Sequence, residues 1–249
     1  MKLLLVNADD FGRTPGVNAG VLEAHLRGVV TSATVMVLEP FAEEGIREAL
    51  SRASGLDLGL HVVLTGGGRP ASGSLPTLAP EGRLARNAEA LPPRLDREEV
   101  AREIEAQIAR FVALASRLPS HLDSHHHCAL HPDVEPVYAA VARGKNLPLR
   151  AASAAAQNRL RRAGLRTPDT FLDSFFGEGA TAGNLRAILG SLPEGTSELM
   201  CHPGYPDEAL LSGSSYARER EREVEVLCDP ELRPLLRRLG IELAGFSRL

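Results

Sequence analysis

Several features that would direct the interpretation elsewhere are scarce or missing in this chain of 249 residues. The three cysteines form no Cys-x-x-Cys pair, and their odd number argues against a disulfide framework. The first apolar run, Leu3 to Val6, stops at a pair of aspartates and is too short for a signal peptide or a membrane helix. We therefore expect a cytoplasmic protein without a membrane partner. The net charge of −4 provides no broad basic surface for nucleic acid.

Predicted strands and helices alternate along the whole chain, without a linker that would separate domains. The strands are predicted near residues 2–7, 33–38, 57–64, 121–127, 147–151, 197–201 and 241–246, and the helices near 15–27, 41–51, 96–118, 132–142, 184–192, 216–227 and 232–239. This alternation is typical of an α/β fold with a parallel sheet, and seven or eight strands favour closure into a barrel. The length is ordinary for such a barrel, so we predict one domain over residues 1–249.

The most unusual stretch is 121–127, which reads His-Leu-Asp-Ser-His-His-His and holds four of the eight histidines. Alternate side chains of a strand share a face, so His121, Asp123, His125 and His127 are predicted to lie together. Imidazoles and a carboxylate on one face are the ligands of a divalent metal. A surface histidine run or an expression tag would explain the stretch less well, because a tag lies at a terminus and is usually longer.

Further polar residues stand at the ends of other predicted strands. Asp9 and Asp10 end the first strand, His61 lies near the end of the third, and His202 follows strand 197–201. In a (β/α) barrel these strand ends meet on one rim. An aspartate pair can also cap a helix, and a lone histidine in an apolar strand is often a core residue. Together with His125, however, the set contains two imidazoles and a carboxylate for a metal, with groups left over for acid–base catalysis of amide or ester hydrolysis.

Residues 66–95 are rich in glycine, proline, alanine and serine and follow the predicted strand that carries His61. A loop of this length within a domain is usually functional or disordered, and we interpret it as a wall or lid over the site. Its glycine triplet lacks the Gly-Lys-Ser/Thr ending of a phosphate-binding loop. The loop ends at Asp96-Arg97-Glu98-Glu99, which resembles a helix capping box.

Four motifs in this order resemble those of the YdjC-like carbohydrate deacetylases, a family that includes chitooligosaccharide deacetylases. They are Asn7-Ala8-Asp9-Asp10-Phe11-Gly12, Gly59-Leu60-His61 followed by Leu64-Thr65, the stretch 121–127, and Cys201-His202-Pro203. The resemblance extends from residue 2 to the last predicted strand. It implies a distorted (β/α) barrel related to polysaccharide deacetylases, one divalent metal ion (Mg²⁺ or Zn²⁺), and removal of acetyl groups from N-acetylglucosamine oligosaccharides. Members of the family are often homodimers.

The resemblance also implies roles for individual residues. Asp10, His61 and His125 would be the metal ligands. Asp9 would be the general base that takes a proton from the metal-bound water, and His202 would protonate the leaving amine.

Further residues receive only supporting roles from the resemblance. Arg150 is expected to orient the base or to contact the sugar. Asp123 and His127 are expected to support the ligands, and His127 is the next choice if one of the three ligands is wrong. The chain departs from the family pattern at Cys128-Ala129-Leu130-His131 and at Ala152. No role is assigned to His121, His126 and His131.

Two other functions compete with a carbohydrate deacetylase. Other metal-dependent barrel hydrolases, such as amidohydrolases and phosphoesterases, usually carry a His-x-His pair on the first strand, where this chain has Asp9 and Asp10. A sugar-binding protein with a vestigial metal site need not keep every catalytic position filled, as this chain does. The expected partner is therefore a small carbohydrate substrate.

Overall fold

The computed structural model describes residues 1–249 and contains one sheet of seven parallel strands. The strands are β1 (Lys2–Phe11), β2 (Ser32–Val35), β3 (Asp57–Val62), β4 (Leu122–Ser124), β5 (Thr170–Leu172), β6 (Gly195–Cys201) and β7 (Ile241–Leu243). Their order across the sheet is β4-β3-β2-β1-β6-β5, and β7 pairs with β1. Every pairing is parallel, so the predicted parallel sheet is confirmed.

Strand β1 is the centre of this sheet. One edge pairs with β6 from Lys2 to Ala8, while the other is shared between β7 near its start and β2 near its end. All its residues from Leu4 onward are buried. Because both faces are covered, the strand reads as an apolar run and not as an alternating pattern.

The sheet curls so that its two outer edges approach each other. Beyond β4, Leu149 forms a single parallel bridge with Leu122, and its amide donates to the carbonyl of Arg166 at 3.0 Å. The guanidinium carbon of Arg150 lies 5.1 Å from the ring centroid of Phe171 in β5. The predicted strand at 147–151 is thus reduced to one bridge, which leaves the barrel distorted and incompletely closed.

Nine helices surround the sheet, and seven of them match the predicted helices within a few residues. They are α1 (Pro15–Leu26), α2 (Ala42–Arg52), α3 (Arg97–Ala115), α4 (Glu135–Gly144), α5 (Ala154–Arg162), α6 (Ala182–Gly190), α7 (Glu208–Gly213), α8 (Glu219–Leu227) and α9 (Leu232–Arg238). The sequence did not predict α5, α7 or β5, because each is short and buries too few apolar residues to set up a period. None of the helices combines the length and apolar character needed to cross a membrane.

Residues 66–95 are fastened to α3 by buried side chains spaced four residues apart along one face of that helix. These side chains are Glu99 and Glu103, and Gln107, one turn further on, binds the backbone of Val63 just before the loop. The two oxygens of Glu103 accept hydrogen bonds from the amides of Ala71 and Ser72, both at 2.9 Å. Glu99 accepts from the amide of Thr77 at 2.8 Å, so it does not complete the predicted capping box.

Two histidines without an assigned role hold the ends of the same loop. The hydroxyl of Thr65 lies 3.0 Å from Nδ1 of His126, next to the start of the loop. Near its other end, Nε2 of His131 lies 3.0 Å from the carbonyl of Pro92. Attachment at both ends and in the middle makes the loop a fixed wall.

Replacing Glu103 should loosen this wall. In Glu103→Ala the amides of Ala71 and Ser72 lose their acceptor, so we expect the free energy of unfolding to fall by about 1–3 kcal/mol. Limited proteolysis should also cut faster within residues 66–95. The matched control is Glu105→Ala, which removes an exposed carboxylate of the same helix that pairs only with Lys145. Equal losses in the two variants would contradict the attachment.

Candidate active site

The carboxyl ends of β1, β3, β4 and β6 meet around a cavity of about 620 Å³. The predicted site residues that line it are Asp9, Asp10, His61, His125, His127 and His202. Asp123 and Arg150 are buried beneath these residues. The structure therefore brings together all eight residues that the sequence singled out.

A local distortion of β1 turns both aspartates toward the cavity. Neighbouring side chains of a regular strand point to opposite faces. The pairing of β1 with β2 shifts register between Ala8 and Phe11, and Asp10 has a left-handed backbone with φ 65°. Such a conformation is uncommon for residues other than glycine and often marks a functional site. The distortion lets two consecutive carboxylates serve one centre.

The histidine-rich stretch follows the strand prediction only in part. Strand β4 covers Leu122–Ser124, and the chain then turns at His126 and His127, whose φ angles are 52° and 51°. Asp123 and His125 reach the centre, whereas the ring of His127 stands edge-on to Phe171. The prediction that His121, Asp123, His125 and His127 share one face of a strand is therefore wrong, because the strand ends at Ser124. The turn that follows still places His125 at the centre.

His121 has a packing position below the centre. Its ring stacks on Phe246 at a centroid distance of 3.6 Å, and its Nε2 lies 3.1 Å from Oδ1 of Asn7. Gly59 makes room for it, since a Cβ there would come within 2.4 Å of the imidazole. The glycine in the Gly59-Leu60-His61 motif is thus explained by the space that the ring of His121 occupies.

Asp10, His61 and His125 form the group best suited to a metal ion. Oδ1 of Asp10 lies 3.2 Å from Nδ1 of His125 and 3.5 Å from Nε2 of His61. This oxygen is buried and accepts no hydrogen bond. A buried acceptor without a donor, placed between two imidazole nitrogens, matches the ligand set of an open divalent site.

Asp123 holds His61 in the orientation that this site needs. Its Oδ1 accepts from Nδ1 of His61 at 2.7 Å, and its Oδ2 accepts from the hydroxyl of Thr34 at 2.8 Å. The proton on Nδ1 leaves Nε2 of His61 free to face Asp10. Burial acts to lower the pKa of His61, but the carboxylates around it, Asp123 foremost, raise it to about 9.

Asp9, His61 and Asp123 also lie close enough together to hold an ion. The oxygens of this second group, however, already accept hydrogen bonds. Both oxygens of Asp9 accept from Arg150, at 2.6 and 2.7 Å, and Asn7 donates to one of them at 2.9 Å. Although burial opposes ionisation, Arg150 holds the pKa of Asp9 well below its usual range. Asp9 is therefore an anchored anion whose orientation is fixed by Arg150.

His202 faces Asp9 across the cavity. Its Nε2 lies 3.9 Å from Oδ2 of Asp9, and its backbone amide donates to Glu223 at 2.5 Å. Desolvation lowers the pKa of His202 to about 4, against the opposing effect of Asp9. The imidazole is consequently neutral in the free protein at neutral pH.

Helix α8 contributes two site residues that sequence reasoning missed. Arg220 and Glu223 belong to a charge run that predicts a solvated face, yet both are buried. Arg220 donates to Oδ2 of Asp10, and Glu223 holds the amide of His202. The available signal was the apolar spacing of Val224 and Leu227, which places residues one turn earlier on the same buried face.

Arg220 and a metal ion would share the neutralisation of Asp10. In Arg220→Gln that buried carboxylate loses its main counter-charge, so the metal-free protein should lose about 3–5 kcal/mol of stability. Added Zn²⁺ should then raise the melting temperature of the variant more than that of the parent, because the ion replaces the lost charge. Thermal unfolding with and without Zn²⁺ tests this. Arg218→Gln, an exposed change at the start of α8, is the control, and an equal zinc effect in Arg220→Gln and the parent would contradict the shared role.

The fold and this centre define a class: a parallel (β/α) barrel with an open Asp-His-His metal-type site at the carboxyl ends of its strands. Within that class, the model of the family described as YdjC-like protein matches residues 3–238. The chain belongs to the YdjC-like family, as the four motifs predicted.

Relatives match along the full length of the chain. A carbohydrate deacetylase of Geobacillus stearothermophilus is 42% identical over 247 residues, covering 98% of this chain and 97% of the relative. A chitooligosaccharide deacetylase of Serratia marcescens is 40% identical over 260 residues, covering 100% and 99%. The crystal structure of a candidate cellobiose-phosphate cleavage protein from Enterococcus faecalis V583 is 34% identical, with a TM-score of 0.92 over 99% of this chain and 98% of that chain.

A more distant structure confirms the expected fold relationship. A peptidoglycan N-acetylglucosamine deacetylase superposes with a TM-score of 0.55 at 13% identity, covering 97% of this chain and 85% of that chain. At this identity the likeness concerns the fold alone. The distorted barrel of this protein is thus similar in fold to that deacetylase.

Proposed function

We propose that this protein is a metal-dependent hydrolase that removes N-acetyl groups from carbohydrates containing N-acetylglucosamine. The observation that carries the proposal is the unpartnered oxygen of Asp10 between His61 and His125, with the anchored carboxylate of Asp9 beside it. The deacetylase names of the relatives support the reaction and the substrate class.

Asp10, His61 and His125 would hold one divalent ion. Such an ion would lower the pKa of a water molecule and polarise the carbonyl of the acetyl group. Two imidazoles and one carboxylate suit Zn²⁺, while Mg²⁺ would need additional waters because it prefers oxygen ligands.

Asp9 and His202 would carry out the proton transfers on either side of the reacting carbonyl. Asp9 accepts the proton of the attacking water, and Arg150 keeps its carboxylate aimed at the cavity. Because His202 is neutral in the free protein, it receives a proton during the reaction and delivers it to the leaving amine. The 3.9 Å between Nε2 of His202 and Oδ2 of Asp9 allows this transfer with a small movement.

The competing functions are less well supported. An amidohydrolase or phosphoesterase of the usual kind would place histidines on β1, where this chain has Asp9 and Asp10. A sugar-binding protein with a vestigial site would not need Arg150 and Asp123 to orient a base and a ligand.

Three accompanying expectations remain part of the proposal. The whole chain of 249 residues would act as one deacetylase domain, in the cytoplasm, and would assemble as a homodimer. Sedimentation of the purified protein tests the assembly.

Acetate release tests the reaction directly. Chelator-treated protein should release no acetate from N-acetylglucosamine oligosaccharides, and activity should return with Zn²⁺, Mg²⁺ or Mn²⁺, the best ion identifying the preferred metal. Binding of metal without acetate release from any acetylated sugar would exclude the proposed substrate class and favour the other metal-dependent hydrolases.

Two substitutions separate metal binding from proton transfer. Asp9→Asn should retain the metal and lose roughly 10²–10⁴-fold in hydrolysis, because the base is gone while the ligands remain. His61→Ala should lose metal and activity together. Metal content by elemental analysis and acetate release are measured on the same samples. Full hydrolysis by Asp9→Asn would show that the base is another group.

A further inference from the structure

One large apolar side chain is exposed at the mouth of the catalytic cavity. Phe176 lines this cavity and is 44% exposed, whereas its neighbour Phe175 is fully buried. The cavity wall is otherwise mostly charged and polar. Ligand pockets combine aromatic side chains with a few placed polar groups, and Phe176 is the exposed aromatic surface that this cavity offers.

The ring of Phe176 is part of an ordered aromatic group. It stacks on Tyr216 at a centroid distance of 4.2 Å and an interplanar angle of 24°. It also stands edge-on to His202, 5.2 Å between centroids. A molecule lying on Phe176 would therefore lie directly beside the proposed general acid.

Hydrogen bonds from α8 and the segment before it fix this group. The hydroxyl of Tyr216 accepts from the amide of Gly177 at 3.2 Å and donates to Glu223. The other oxygen of Glu223 accepts from the amide of His202. Glu223 is fully buried, so one carboxylate sets the relative position of the aromatic pair and the imidazole.

We propose that Phe176 is the stacking platform for the pyranose ring of the substrate and a specificity residue of this enzyme. The inference rests on the deacetylase function proposed above. A pyranose presents a face of C–H groups bounded by hydroxyls at its rim. The phenyl ring covers that apolar face, and the surrounding polar side chains are left for the hydroxyls. Stacking on Phe176 would hold the sugar beside His202.

Sugar binding to a slow variant tests the platform separately from catalysis. In zinc-loaded Asp9→Asn protein, titration calorimetry measures the Kd of di-N-acetylchitobiose. Adding Phe176→Ala should weaken binding about ten-fold or more, and Phe176→Tyr, which keeps the ring, should stay within about two-fold. Leu211→Ala is the matched control, because Leu211 is 45% exposed but does not line the cavity.

The same substitutions in the otherwise unchanged enzyme give a second readout. Phe176→Ala should raise KM for the disaccharide with a much smaller change in kcat, while zinc content stays at the parent level. An unchanged Kd in Phe176→Ala, or an equal loss in Leu211→Ala, would overturn the platform. If the sugar binds through Phe176 but no acetate is released by the parent, the deacetylase function fails and the platform stands.

Discussion

The buried ion pair between Arg150 and Asp9 is the interaction on which the rest of the centre depends. Arg150 also donates to Glu198 of β6 at 2.6 Å and lies 3.1 Å from Asp123 of β4. One guanidinium therefore compensates carboxylates that three strands deliver to the same buried volume. Removing one partner of such a group leaves uncompensated charge in the interior. Arg150 comes from the segment where the sheet nearly closes. The ionised state of the centre therefore depends on the closure of the barrel, and the closure depends on the charges that Arg150 compensates.

The two consecutive aspartates have different surroundings, because different arginines bind them. Arg150 occupies both oxygens of Asp9, which leaves that carboxylate fixed. Arg13 and Arg220 both donate to Oδ2 of Asp10, so Oδ1 stays open toward the imidazoles. Identical side chains thus differ in how many of their oxygens are free to face the cavity, because of the donors they meet and of the left-handed backbone at Asp10.

Site residues at the ends of strands could be predicted from the sequence. Site residues defined by a partner far away in the chain could not. His61, His202 and the aspartate pair were placed correctly because parallel strands bring their carboxyl ends to one rim. Arg220 lies 210 residues beyond Asp10, in a run of charges that satisfies a surface helix equally well. The turn at His126 also escaped prediction, since periodicity describes regular elements and not a positive φ.

Residues 66–95 are attached to α3 mainly through their backbone. Glu99 and Glu103 bind main-chain amides of the loop, at Ala71, Ser72, Thr77 and Leu78, and the Thr77 hydroxyl is the one side-chain group that they bind. Proline is the residue that those four positions exclude, because it lacks the amide hydrogen. Arg86 and Asn87, which the loop contributes to the lining of the cavity, make none of these contacts with α3. The side chains that face the cavity are therefore chosen independently of those that attach the loop.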